Sequence, residues 1–405
     1  MMIRRACVMS LTVAVCAAVP CVAAGPVHHQ LQVQIQPDAH TLQVLDRVSF
    51  RHAVSADENG AYRVLLHAGL SPRVVTPGWR FERLEDPVEA GFFGINATTE
   101  TVSKNVPLEA YVLTPRENAE EPVEFVYGGE IHHPLATQGE EYQRSFSETP
   151  GIIDSQGVFL AGTSFWVPTF GDGLLTFDLE VSSMQPPWNA VSQGRRSQHE
   201  ILADGSRLTR WKLEHPTEEI YLVAGPWNEY TRQADEVEVF VFLRDDDPSL
   251  AQRYLDATAR YLVLYEGMLP PYPYASFALV ENFWETGYGM PGFTLLGPRV
   301  IRFPWILTSS YPHELLHNWW GNSVYVDFET GNWCEGLTAY LADHLFAEQR
   351  GEGATYRRAT LKKYTDMVSS GEDFPLSEFG SRNSAATEAV GYGKSLMLFH
   401  MARRA

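Results

Sequence analysis

His313-Glu314-Leu315-Leu316-His317 places two imidazoles four residues apart with a carboxylate beside the first. Residues four apart share one face of a helix, so both rings can point at a single ion. Zinc takes such nitrogens at about 2.0–2.1 Å and, in catalytic sites, keeps one position for water. Glu314 stands where it can draw a proton from that water without binding the metal. Glu335 is the leading candidate for the third ligand, because two histidines and a glutamate are a recurring catalytic set. Asp327 and Glu329, which lie between, are weaker candidates, and Asp343 and Glu348 read as solvated or supporting groups. The bland alternative for the pentapeptide alone is a core helix that happens to carry two histidines.

Two helices must hold these groups. Ser310 is placed to cap the first, with Tyr311 and Pro312 in its opening turn and Gly321 at its end. Asn332 is placed to cap the second, which runs from Trp333 to about Gln349 and closes at Gly351. Upstream, Gln30–Gln36 alternates perfectly, and similar short runs follow at Leu42–Phe50, Ala61–Ala68, Val123–Tyr127, Leu174–Val181, Arg207–Leu213 and Ile220–Ala224. Alternation marks half-buried strands. Residues 25–232 therefore read as an antiparallel β domain of sandwich or saddle type. Residues 233–405 read as an α+β domain, with a strand at Val237–Leu243, a helix at Ser249–Glu266, a strand at Phe277–Val280 and helices dominating after residue 309.

The 405 residues suffice for two domains. A formal charge of -19 argues against nucleic acid or an anionic membrane as the main partner. Arg4 and Arg5, the apolar run Ala6–Val19 and the small residues Val22-Ala23-Ala24 mark residues 1–24 as an export leader, too short to span a bilayer. Its removal takes two arginines and no acids, giving -19 - 2 = -21, and leaves Cys334 as the single cysteine and no membrane span. Pro20 before Cys21 argues against lipid attachment, so the expected location is the periplasm or the medium. Cys334 reads as a small buried filler. His132 and His133 could belong to a second metal site, but adjacent residues on a strand point to opposite faces, so they read as surface groups. The apolar run Leu396–Met401 ends close to Ala405, which implies a further C-terminal part to cover it.

The stretch His313–Tyr340 resembles the aminopeptidase N family of gluzincin metallopeptidases. That family carries HExxH, eighteen residues and then Glu, with Trp and Gly-Asn after the second His and Glu-Gly at the third ligand. Trp319, Gly321-Asn322 and Glu335-Gly336 match, although here 17 residues separate His317 from Glu335. Tyr272-Pro273-Tyr274 and the lead-in to Gly289-Met290 match as well. Tyr392-Gly393-Lys394-Ser395 resembles the family's Tyr-x-Lys-Gly, whose tyrosine donates to the oxyanion. The resemblance implies a thermolysin-like catalytic domain, one zinc ion per chain, a peptide substrate and Tyr392 as a second catalytic residue beside Glu314.

One departure bears on substrate. The family's edge strand carries Gly-x-Met-Glu-Asn, and its Glu binds the substrate's α-amino group. Here Gly289, Met290, Pro291 and Gly292 would border the substrate, and Pro291 stands where that Glu would be. Glu281 and Glu285 are the nearby carboxylates that could replace it. The expectation is a zinc metallopeptidase of aminopeptidase type. The alternatives are an endopeptidase or other amide hydrolase not anchored on a free N-terminus, and a catalytically weak zinc-containing binding protein.

Overall fold

In the computed structural model, residues 27–50, 60–85, 106–137, 147–171, 173–368 and 373–405 are described. The leader assigned to residues 1–24 lies outside them. The alternating N-terminal segment forms the strand Val27–Gln36, whose Leu31, Val33 and Ile35 are buried while the intervening glutamines are exposed. It lies in the middle of a seven-stranded sheet ordered Arg195–Ile201, Arg207–Thr217, Leu175–Met184, Val27–Gln36, Thr41–Phe50, Val123–Glu130 and Arg73–Val74. The sheet departs from the purely antiparallel pattern expected, because Val27–Gln36 runs parallel to Leu175–Met184. Period-two alternation reports a half-buried face whichever way the neighbouring strand runs, so direction is not written in it.

A four-stranded sheet of Gly151–Asp154, Gly157–Leu160, Leu222–Pro226 and Trp188–Val191 packs in the same β-rich region, beside a three-stranded sheet of Tyr62–His67, Leu108–Pro115 and Trp79–Arg83. A five-stranded sheet then begins at Asn228. Its order is Asn228–Ala234, Val237–Leu243, Ser276–Glu281, Phe293–Leu296 and, at the edge, Gly287–Met290. Val237–Leu243 and Ser276–Glu281 are parallel, so the chain needs a long crossover between them. The helix Pro248–Glu266 supplies it, capped by Asp247, whose side chain accepts from Leu250 N at 2.8 Å. Tyr254, Tyr261 and Tyr265 on its inner face are buried against Tyr311 of the motif helix and its surroundings.

One connected apolar core runs from the N-terminal strands into the helical region. Polar ties cross the same boundary: Trp227 Nε1 donates to Glu281 O at 2.8 Å, Ser276 Oγ to Gly194 O at 2.6 Å, and Tyr325 OH to Pro216 O at 2.9 Å. The β region thus braces the inner strand Ser276–Glu281 and the loop after the motif helix. Among the described residues no helix is long and apolar enough to cross a membrane.

Candidate active site

The motif helix spans Ser310–Leu316. Tyr311, Pro312, Leu315 and Leu316 are buried, which turns His313, Glu314 and His317 to the other side. Tyr311 is fully buried, and its hydroxyl hydrogen-bonds Thr258 on the crossover helix. The cap position falls on Ser309, not Ser310, and Ser309 Oγ bonds Trp305 O at 2.9 Å instead of capping. Regular helix stops at Leu316, short of Gly321. Gly321 ends the turn that follows with φ +90°, and a Cβ there would come 3.2 Å from His317 Nδ1. Glycine therefore both permits the backbone and leaves room for the His317 ring.

The second helix is continuous from Cys334 to Gln349, with a π-helical segment at Tyr340–His344. Asn332 Oδ1 accepts from Cys334 N at 3.1 Å, so the expected capping side chain is in place one residue before the assigned cap. Trp320 Nε1 donates to Thr338 Oγ1 at 2.7 Å and ties the turn after the motif helix to the second helix. Trp319 is buried too, donating to Pro270 O at 2.9 Å. Cys334 is buried, and burial followed by the nearby Glu335 charge pushes its thiol far up.

These elements bring His313, His317 and Glu335 into one cluster. His313 Nε2 and His317 Nε2 stand 3.3 and 3.7 Å from the same oxygen, Glu335 Oε2. Three donors set tetrahedrally at about 2.1 Å around an ion would stand about 3.4 Å apart, so the spacing fits a metal. On the far side of the His313 ring, Nδ1 lies 3.5 Å from Asp343 Oδ2. Asp343 comes from the π-helical segment, and a carboxylate on the second nitrogen fixes a ligand ring's tautomer and orientation. Asp327 and Glu329 are exposed on a turn of their own, where Asp327 accepts from Glu329 N, and Glu348 pairs with Arg403.

The electrostatics favour a cation. Burial drives His313 toward the neutral form, but Asp343, Glu335 and Glu314 more than reverse this and raise it to about 10. Burial pushes Glu335 up, and His317, His313 and the Tyr392 hydroxyl together bring it down to about 2. Tyr392 lies in a second π-helical segment, Ala389–Lys394, and its ring stacks on His313 with centroids 6.2 Å apart and planes 13° from parallel. Burial first and the Glu335 charge second keep its hydroxyl protonated, hence a donor.

The edge strand Gly287–Met290 lies against the motif helix. A Cβ at Gly289 would meet Glu314 Oε2 at 2.5 Å. Met290, Pro291 and Gly292 are buried, so of the four residues expected to border the substrate only Gly289 is partly open, next to partly open Tyr288 and exposed Gly287. Pro291-Gly292 forms the two-residue connection between Met290 and its partner Phe293, with Gly292 at φ +77°. Proline followed by a left-handed glycine is what such a turn favours. Glu281 is buried, accepting from Arg302 Nη1 at 2.5 Å and Arg244 N at 2.8 Å. Glu285 accepts from Arg299 N and Nε at 3.0 and 2.9 Å. Both carboxylates are committed.

Asn318 is a positioning residue that the sequence reading missed. It is fully buried, and its Oδ1 accepts from Gly292 N at 2.7 Å while Nδ2 donates to Leu315 O at 2.9 Å. Asn322 Nδ2 adds a longer contact of 3.4 Å to Gly289 O. The signal was present: an amide in an otherwise apolar run demands a hydrogen-bonding partner.

No protein-family model matches the sequence, and no curated protein matches it. Solved structures share its fold. An M1 zinc metallopeptidase from Deinococcus radiodurans superposes with a TM-score of 0.63 at 18% identity, over 94% of this chain and 83% of that one. A mutant of the same protein bound to a Tyr-Ser-Ala substrate gives 0.60 at 18%, over the same shares. Yeast LTA4 hydrolase gives 0.56 at 13%, over 93% of this chain and 59% of that one. The chain, a β-rich region followed by a mixed sheet and helices around the His-His-Glu cluster, shares the fold of the M1 zinc metallopeptidases.

Proposed function

We propose that this protein is a zinc peptidase with a thermolysin-like catalytic domain, and that His313, His317 and Glu335 hold the ion. The observation that carries the reading is the convergence of the two Nε2 atoms on one Glu335 oxygen at 3.3 and 3.7 Å, backed by Asp343 behind His313. When bound, zinc would acidify a water and polarise the scissile carbonyl. Glu314 takes the proton from the attacking water and passes it to the leaving amine. Tyr392 donates its hydroxyl hydrogen to the negative charge that develops on the carbonyl oxygen. The unpaired side of Gly287–Gly289 is the surface along which an extended peptide would add as a further strand. The leader over residues 1–24 supports action outside the cytoplasm.

The Tyr-Ser-Ala substrate of the Deinococcus mutant is in keeping with a peptide substrate, and the shared fold with an aminopeptidase-like activity. A specific observation favours a second reading in which the free amine is not the anchor. Pro291 is a turn residue, and Glu281 and Glu285 are held by arginines and backbone N–H groups. Free and N-acetylated peptides of one sequence separate the two: strict dependence on the free amine supports the aminopeptidase reading, and equal cleavage supports the endopeptidase one. The hydrolytic reading itself is tested by Glu314→Gln. The variant should retain zinc and lose about 10²–10⁴-fold in kcat, and full activity would overturn it.

A further inference from the structure

We propose a second site for a divalent transition-metal ion, in the β-rich region, built from His40, His132 and Asp154. A nitrogen of each ring and a carboxylate oxygen of Asp154 lie within 4.8 Å of one another. Donors set tetrahedrally at about 2.1 Å around an ion stand about 3.4 Å apart, so closure asks for side-chain movements of up to about 1.4 Å.

The hydrogen bonds define the donors. His40 Nδ1 and His132 Nδ1 lie 2.8 and 3.2 Å from the same acceptor, the carbonyl oxygen of Ile153. A carbonyl only accepts, so each Nδ1 carries its hydrogen and each Nε2 carries the lone pair. A backbone carbonyl on the second ring nitrogen is the usual support of a metal-bound histidine. The two rings sit 4.1 Å apart between centroids. Asp154 Oδ1 accepts from Gln156 N at 2.9 Å, which fixes the carboxylate at the hairpin end.

The neighbouring histidine pair is a useful contrast. His132 and His133 lie just beyond the strand Val123–Glu130, His132 in an isolated bridge with Ile152, and both are half-buried where surface groups on a strand were expected. His133 meets His67 at 2.9 Å between Nε2 atoms, and His67 Nδ1 accepts from Gly69 N at 3.0 Å. His67 must therefore donate through Nε2, so that pair is satisfied internally and has no lone pairs to share. The His40–His132 pair does.

The backbone preorganises the three ligands. Ile131 N donates to His40 O at 3.1 Å and Ile153 N to Ile131 O at 2.9 Å, so the three ligand-bearing segments are already laced together. His40 follows the turn between the two central strands of the seven-stranded sheet, and Asp154 ends the first strand of the four-stranded sheet. An ion there cross-links two sheets in a chain whose only cysteine after residue 24 is Cys334. Two histidines and a carboxylate with a remaining open position suit zinc best among abundant divalent ions.

The test is stoichiometry in the full chain loaded with zinc and washed free of loose metal. Wild type should hold two ions by elemental analysis, and His132→Gln one. His317→Ala, which opens the catalytic cluster and leaves the β region untouched, should still bind one equivalent of zinc or cobalt and melt at a higher temperature with it. Retention of the wild-type metal content in His132→Gln, or no binding by folded His317→Ala at micromolar metal, would each overturn the second site. None of these outcomes depends on whether the protein hydrolyses peptides.

Discussion

Gly289→Ala is the sharpest probe of the site, because its effect should fall on one atom. The added methyl would lie 2.5 Å from Glu314 Oε2, whereas the next nearest atoms, Glu314 O and Cα, stand at 3.4 and 3.5 Å, in ordinary contact. The backbone can stay, but the carboxylate must retreat from 2.5 to 3.4 Å, a shift of about 0.9 Å. Misplacing a catalytic group by about 1 Å costs about 10²-fold, so kcat should fall about a hundredfold. Zinc content should not change, since Glu314 is not a ligand. Stability should hold or rise by a few tenths of a kcal/mol, up to about 1, because alanine restricts the unfolded chain. The assay is kcat on a fixed peptide, with metal analysis and a thermal melt on the same sample. A kcat close to wild type would refute the placement of Glu314 against the edge strand as the base.

Tyr392→Phe keeps the ring on His313 and removes only the hydroxyl, so kcat should drop about 10²–10³-fold while KM moves little; steady-state kinetics decide it. Asp343→Asn weakens the hydrogen bond that orients His313 and should lower zinc affinity about 10–100-fold in a chelator competition, with a normal melt in excess zinc. Acid should destabilise the β-rich region through His67, which burial and then the His133 charge hold at about 4 against an unfolded value of 6.5. Above 6.5 neither state is protonated and His67 costs nothing. Between 6.5 and 4 the unfolded chain binds a proton that the folded one refuses, so about 1–2 kcal/mol of stability is lost across that window after solvent screening is allowed for. Melts of wild type and His67→Gln from pH 7.5 to 4.5 should converge as this term disappears in the variant.

The strands with strict alternation and the two zinc helices were legible because burial and metal chemistry leave periodic marks in sequence. Gln30–Gln36 and Val237–Leu243 needed nothing more. Arg195–Ile201 and Trp188–Val191 were not read, the first being largely polar on an outer edge and the second only four residues long. The parallel pairing of Val27–Gln36 depends on a partner some 150 residues away, which no local pattern encodes. At the site, the grouping of His313, His317 and Glu335 was legible by type and spacing, whereas the contacts of Asn318 and Asp343 depend on what lies opposite them in space.

The π-helical turn at Tyr340–His344 makes the proposed catalytic centre sensitive to counting. In a regular α-helix Glu335 and Asp343, eight residues apart, would lie about 80° out of phase. The wider i→i+5 turn takes up that excess, and the two carboxylates reach opposite nitrogens of the same ring. Removing any one residue between them would undo the alignment even if every functional side chain were retained. The exposed part of the loop between His317 and Glu335, Asp327–Thr330, carries no such constraint, and that loop is one residue shorter than in the pattern the sequence resembles. Insertions and deletions, more than substitutions, should therefore sort working from failed versions of this site: tolerated in the loop, excluded from the helix.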